Sequence, residues 1–176
     1  LLAKQLIDAG KIGTIHHFRA TYLQDWILDP AFPLVWRLDK AVAGSGSHGD
    51  LGAHLIDLAH FLVGGMSRVC GMNKTFVTER PEAGEMQGLT AQSSGTAKLK
   101  PVTVDDATLF LTEFDNGALG SFEATRFAAG HKNDMFFEIN GSKGSVRFAF
   151  ERMNELQYHD AGDDPTIGGF RTIQAS

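Results

Sequence analysis

The chain contains a single cysteine, Cys70, so an internal disulfide is excluded, and a reducing cytoplasm is the expected compartment. No apolar run approaches the ~20 residues of a membrane span, and no secretory leader is visible. Basic charge is in deficit: 16 Lys and Arg against 21 Asp and Glu leave a formal charge of -5. That balance argues against nucleic acid or an anionic membrane as partner. Internal repeats are absent. What remains is 176 residues with 43% hydrophobic content, enough for one good core and too apolar for a disordered segment.

The hydrophobic pattern predicts a helix over residues 2–9, closed by Gly10, followed by a strand from Thr14 to Leu23 with Phe18, Ala20 and Tyr22 on one side. A loop rich in Trp and Pro, Gln24 to Trp36, leads to a second helix over Asp50 to Val63. Ser67 to Val77 reads as a strand and Pro81 to Lys100 as a polar connection. Strands follow over Val102–Phe114, Ala118–Phe127, Asn133–Asn140 and Ser145–Phe150. Asp115-Asn116-Gly117 predicts a type I′ hairpin, because Asn and Gly tolerate the positive φ values that turn needs. The fold class expected is α+β, an open-faced, mostly antiparallel sheet with helices on one face. Apolar residues alternate onto both faces, Phe110 and Phe114 against Leu109 and Leu111. An uncovered apolar face of this kind marks an interaction surface.

The stretch Gly49-Asp50-Leu51-Gly52-Ala53-His54-Leu55-Ile56-Asp57 carries the chemistry. On an α-helix Asp50, His54 and Asp57 fall within a ~60° arc, beside an apolar arc of Leu51, Leu55, Leu58 and Leu62. Histidine titrates nearest neutrality, and a carboxylate one turn away can orient its ring or raise its pKa, which is what general acid/base chemistry requires. The bland alternative is a partly exposed polar pair. The approach through Ala43-Gly44-Ser45-Gly46-Ser47-His48 looks too small and flexible to pack a core, and Ser47 with Asp50 resembles a capping box.

Trp36-Arg37, the Gly44-Ser45-Gly46 loop, the Gly-Asp-x-Gly-x-His-x-x-Asp run and Phe61-Leu62-Val63-Gly64 together resemble the Gfo/Idh/MocA family of nicotinamide-dependent oxidoreductases, relatives of glucose-fructose oxidoreductase and inositol dehydrogenase. Lys11-Ile12-Gly13, Gln24-Asp25-Trp26 and Asn133 to Ser145 extend the resemblance over nearly the whole chain. It implies that His54 is the catalytic histidine, taking a proton from a sugar or polyol hydroxyl as hydride passes to NAD or NADP, and that Asp50 is its acidic partner. Family members bind the dinucleotide in an N-terminal Rossmann domain that also supplies a catalytic lysine. Residues 1–10 then end a helix coming from that domain, and residues 11–176 form the substrate-binding and oligomerisation domain, cut short at its C-terminus. Half an active site, inactive alone, is expected.

Further assignments are weaker. Trp36 and Arg37 suit a sugar pocket by stacking and forked hydrogen bonding, with ordinary packing the alternative for Trp36. His48 is a substrate contact or a bystander, and Asp57 borders the substrate or plays a structural part. Arg126 and Asn133 flank a turn that could approach the site. His16, His17, His60, His131 and His159 read as surface or satisfied histidines. Gly44-Ser45-Gly46-Ser47-His48-Gly49 matches the dinucleotide pattern G-x-G-x-x-G, but no buried strand precedes it and no Asp or Glu stands between Asp57 and Glu79. Glu79-Arg80-Pro81 imitates the family's lysine motif with an arginine and reads as a strand end. Two other readings are a non-catalytic binding or assembly module and a metal site on Asp50, His54 and Asp57. The family requires no metal, and none is expected.

Overall fold

The computed structural model describes residues 1–83 and 98–175. Its first helix, α1 (Leu2–Asp8), stops at Gly10, whose φ of 71° opens the left-handed region. There the Lys11 amide reaches back to the Leu6 carbonyl, and the Gly10 amide to that of Ile7, satisfying the helix end. Next come β1 (Ile15–Leu23), a 3₁₀ turn (Trp36–Leu38), a short helix α2 (Lys40–Ala43), a π turn (His48–Gly52) and α3 (Ala53–Leu62).

The remaining described elements are strands: β2 (Met66–Lys74), β3 (Glu79–Pro81), β4 (Leu99–Pro101), β5 (Ala107–Phe114), β6 (Leu119–Thr125), β7 (Asp134–Gly141), β8 (Gly144–Ala149), β9 (Glu155–Asp160) and β10 (Arg171–Gln174). Eight of them form one sheet in the order β10-β9-β8-β7-β1-β6-β5-β2, and β3 pairs with β4 apart from it. Among the described pairings of that sheet, β1 with β6 alone is parallel. The α+β architecture is as the sequence pattern predicts.

Helices cover one face. Period-2 alternation turns Phe18, Phe110, Phe114, Phe122, Phe137, Ile139 and Val146 toward them, all buried. Phe110 and Phe122 stack with centroids 4.3 Å apart, and Phe18 joins at 5.4 Å from Phe122. Leu55, Ala59 and Leu62 of α3 meet this layer at helical spacing, and Leu2, Leu6 and Ile7 of α1 extend it. Each large apolar side chain fully buried contributes roughly 1.5–3 kcal/mol. Together they fix α3 against the sheet.

Four expectations need correction. Asn116 has no positive φ; Gly117 alone does, at 84°, and Gly117 donates to Phe114, so the hairpin is a three-residue loop with the glycine in the left-handed position. The 81–100 connection is partly a strand, Leu99–Pro101 pairing with Glu79–Pro81, while residues 84–97 of it lie outside the described residues. Beyond Phe150 the sheet continues through β9 and β10. The open face is also less apolar than expected: Leu109, Leu111, Leu119 and Met72 are exposed on it, but Arg19, Glu138 and Arg147 occupy its middle, and Phe170 lies over Arg147 at 4.3 Å.

Candidate active site

Asp105, just before β5, organises the approach to α3. Its Oδ1 accepts from the Gly46 amide at 3.0 Å, and its Oδ2 accepts from the Ser47 hydroxyl and the His48 amide, both at 2.7 Å. Burial pushes this carboxyl up, but the donations from Ser47, His48 and Gly46 outweigh it and hold the carboxyl below its ordinary value. Ser47 is therefore no helix cap: it has helical φ and ψ of -60° and -32° and its hydroxyl serves Asp105. Nor is the loop loose, since Gly46 and Ser47 are buried and a Cβ at Gly46 would lie 1.9 Å from the Asp105 carbonyl oxygen.

The loop feeds a π turn, not an α-helical one. Such turns are uncommon and recur at functional sites. Asp50 sits in this turn and His54 in the first turn of α3, and both line one open cleft of about 480 Å³. Asp50 Oδ2 accepts from Arg126 Nη2 at 2.7 Å; this, and no bond to His54, is the contact that fixes its carboxylate. The Tyr22 ring stands 6.0 Å from the His54 ring.

Two walls complete the cleft. Trp36 and Arg37 form one, with the guanidinium 4.3 Å above the indole. Along the other, Trp26 Nε1 donates to Gln24 Oε1 at 2.9 Å, Gln24 Nε2 donates to Asn133 Oδ1 at 2.9 Å, and the Tyr22 hydroxyl donates to that same oxygen at 3.0 Å. Among the described hydrogen bonds the Asn133 amide nitrogen has no partner and the Tyr22 hydroxyl only donates. Lys132 also lines the cleft and donates to Asp25 at 2.8 Å, the main reason the Asp25 carboxyl lies below its ordinary value. Phe32, Val35 and Leu51 supply apolar surface.

Trp36, Arg37, Asp50 and His54 thus meet in one cleft, and two other candidates do not. His48 faces a separate, mostly apolar hollow, edge-on to Phe110 and 3.5 Å from the Thr108 hydroxyl. Asp57 is exposed on α3 outside the cleft. His54 and Asp57 both belong to the regular helix α3, three residues and nearly one turn apart, and the cleft that takes in the first turn leaves Asp57 beyond it. Among the described residues no three His, Cys, Asp or Glu side chains, Asp50, His54 and Asp57 included, come close enough together to hold a metal ion. Tyr22 and Lys132 join the cleft without having been singled out by the sequence, and Gln24 and Trp26, noted there only as part of a family-like motif, join it too. A signal for Tyr22 exists, since it follows Phe18 and Ala20 on the helix-covered side of β1.

The cleft thus sets a carboxylate, an imidazole and an indole beside apolar surface. A family model described as the GFO/IDH/MocA C-terminal domain matches residues 1–147, and the chain belongs to that family. It is 47% identical over 173 residues to levoglucosan dehydrogenase of Pseudarthrobacter phenanthrenivorans, covering 98% of this chain and 44% of that protein. An oxidoreductase domain protein from Kribbella flavida superposes with a TM-score of 0.90 at 56% identity, over 99% of this chain and 44% of that one. Levoglucosan dehydrogenase in complex with NADH and levoglucosan superposes at 0.86 with 46% identity, over 98% of this chain and 43% of that one. The chain thus spans less than half the length of these relatives.

Proposed function

We propose that the chain is the substrate-binding half of an NAD(P)-dependent dehydrogenase acting on a sugar or polyol hydroxyl, with His54 as general acid/base and Asp50 as its acidic partner. The observation that carries this reading is the convergence of Asp50 and His54 in one cleft with Trp36 and the Tyr22–Asn133–Gln24 chain. His54 takes the hydroxyl proton as the carbon bearing that hydroxyl is oxidised. Trp36 and the apolar wall receive the C–H face of the ring, while Asn133, Tyr22 and Arg37 bind its other hydroxyls. A nicotinamide, when bound in the longer protein, accepts the hydride.

This chain's own glycine loop does not suit the pyrophosphate: the Gly46 and His48 amides that would cradle it are already committed to Asp105. In this reading the chain alone neither binds the dinucleotide nor turns over substrate. The exposed Leu109, Leu111 and Leu119 on the open face support self-association as a homodimer or tetramer. His48 and Asp57 have no part in substrate binding in this reading.

The test is to follow NADH and NADPH formation by the intact protein against a panel of neutral sugars, anhydrosugars, polyols and sugar acids. Levoglucosan is the first to try, given the 47% identity to the enzyme named for it. Reduction of neither cofactor with any member of the panel would remove the proposal.

A further inference from the structure

Arg126 follows the last residue of β6, and its side chain is 1% exposed. Nη2 donates to Asp50 Oδ2 at 2.7 Å, while Nε and Nη1 are buried with no partner among the described residues. The guanidinium carbon lies 5.4 Å from the centre of the Trp26 ring, so the cation also backs the cleft wall that Trp26 forms. Sequestering a guanidinium and leaving two of its nitrogens without hydrogen bonds is costly. An apolar side chain of similar volume would fill the space with a smaller desolvation penalty, so the cation answers a need other than packing. The carboxylate it holds is 46% exposed and borders the cleft.

We infer that Arg126 is a positioning residue for the oxidation: it acts through Asp50, clamping one carboxylate oxygen so that the other stays directed at substrate beside His54. The inference rests on the functional reading given above. The charged or titratable groups that share the cleft with Asp50 or touch it are Arg126 from the end of β6, His54 from α3, Tyr22 from β1, Arg37 from the 3₁₀ turn and Lys132 from the loop before β7. Lys132 is paired with Asp25, and Arg37 lies over Trp36. Among the described residues Arg126 alone both touches the carboxylate and is buried. Without it, the Asp50 side chain gains rotational freedom at the point where geometry sets the rate, and misplacement of a reacting group by about 1 Å can cost on the order of 10²-fold.

The test is a double-mutant cycle on the intact enzyme, reading kcat, KM for the sugar and the NADH dissociation constant. Arg126→Met is expected to lower kcat by about tenfold or more with NADH affinity unchanged, and to cost less than about twofold further in an Asp50→Asn background. Arg126→Lys should recover part of the loss. Losses that multiply independently in the double variant, or an unchanged kcat with only a fallen melting temperature, overturn the inference. Should Arg126→Met fail to fold, Arg126→Lys takes its place in the cycle. That variant should then lower kcat a few-fold when Asp50 is present and have no further effect when combined with Asp50→Asn; an equal loss in both backgrounds again overturns the inference. His54→Ala separates the two ideas. If it leaves kcat intact, the functional reading falls; if it abolishes turnover and the cycle is additive, only the role of Arg126 falls.

Discussion

Arg80 Nη2 donates to the Ile27 carbonyl oxygen at 2.6 Å across 53 positions of sequence. Its Nη1 reaches the carbonyls of Asp29 at 2.7 Å and Phe32 at 3.2 Å, so one fully buried guanidinium ties β3 to the loop that carries Trp26, Phe32 and Val35 into the cleft. Burial pulls its pKa down, opposed by Asp106 and Asp29, and Asp106 is itself pushed up by burial against the amides of Phe76 and Val77 and the charges of Arg80 and Arg126. Arg80→Met strands three carbonyls and removes one of the two cations that act on the buried Asp106. A loss of about 3 kcal/mol in unfolding free energy is expected, read by urea denaturation. A variant as stable as the parent would show that water satisfies these groups equally well.

Replacing His54 with Ala or Asn in the intact enzyme should lower kcat by about 10²-fold or more, as removal of a positioned proton acceptor does, with NADH affinity nearly unchanged. Steady-state kinetics at neutral pH and fluorescence titration with NADH check both halves. Near-normal turnover would assign the proton transfer elsewhere.

The Asp105 carboxyl, held below its ordinary value, ties stability to pH with a definite sign. Its bonds to Ser47, His48 and Gly46 stabilise the fold fully above the unfolded-state pKa, and that contribution fades as pH falls through the lower folded value. Asp105→Asn should therefore melt below the parent at neutral pH, with the gap narrowing as pH falls below about 5 and on through the lowered folded value. Circular dichroism melts across that range give the answer. A gap that widens on acidification would reverse the assignment.

Light scattering at micromolar concentration is expected to find a dimer or larger, with Leu111→Glu combined with Leu119→Glu shifting it toward monomer. A stable contact buries well over ~1,000 Å² in total. A clean monomer of the parent chain would mean that the polar middle of the face, Arg19, Glu138 and Arg147, keeps copies apart.

The readable parts of the molecule are those governed by local periodicity. Leu55 and Leu62 announce α3, and the alternation of Phe110 with Leu111 and of Phe122 with Ser121 announces β5 and β6, because each pattern completes itself within one element. Asp50, His54, Trp36 and Arg37 are legible because they fall within short contiguous motifs. Asp105 is opaque: nothing near it in sequence says that its carboxylate will be wrapped by Gly46, Ser47 and His48. The sequence places Arg126 near the site, but its burial, like that of Arg80, is opaque because charge ordinarily marks surface and only the assembled fold shows these two buried. In β9 just Leu156 and Tyr158 alternate inward among polar residues, too few to outweigh them.

The parallel pairing of β1 with β6 shapes how the molecule comes together. β6 and β7 follow one another in sequence yet do not pair, because β1, from the far end of the chain, lies between them. Hairpins β5–β6 and β7–β8 close over short loops, whereas bringing β1 home closes a loop of roughly a hundred residues and is slow. Until it arrives, β6 and β7 offer raw edges on which a second copy could template itself. Tyr22 rides in on that same strand, so the topology leads one to expect the cleft among the last features of the molecule to form.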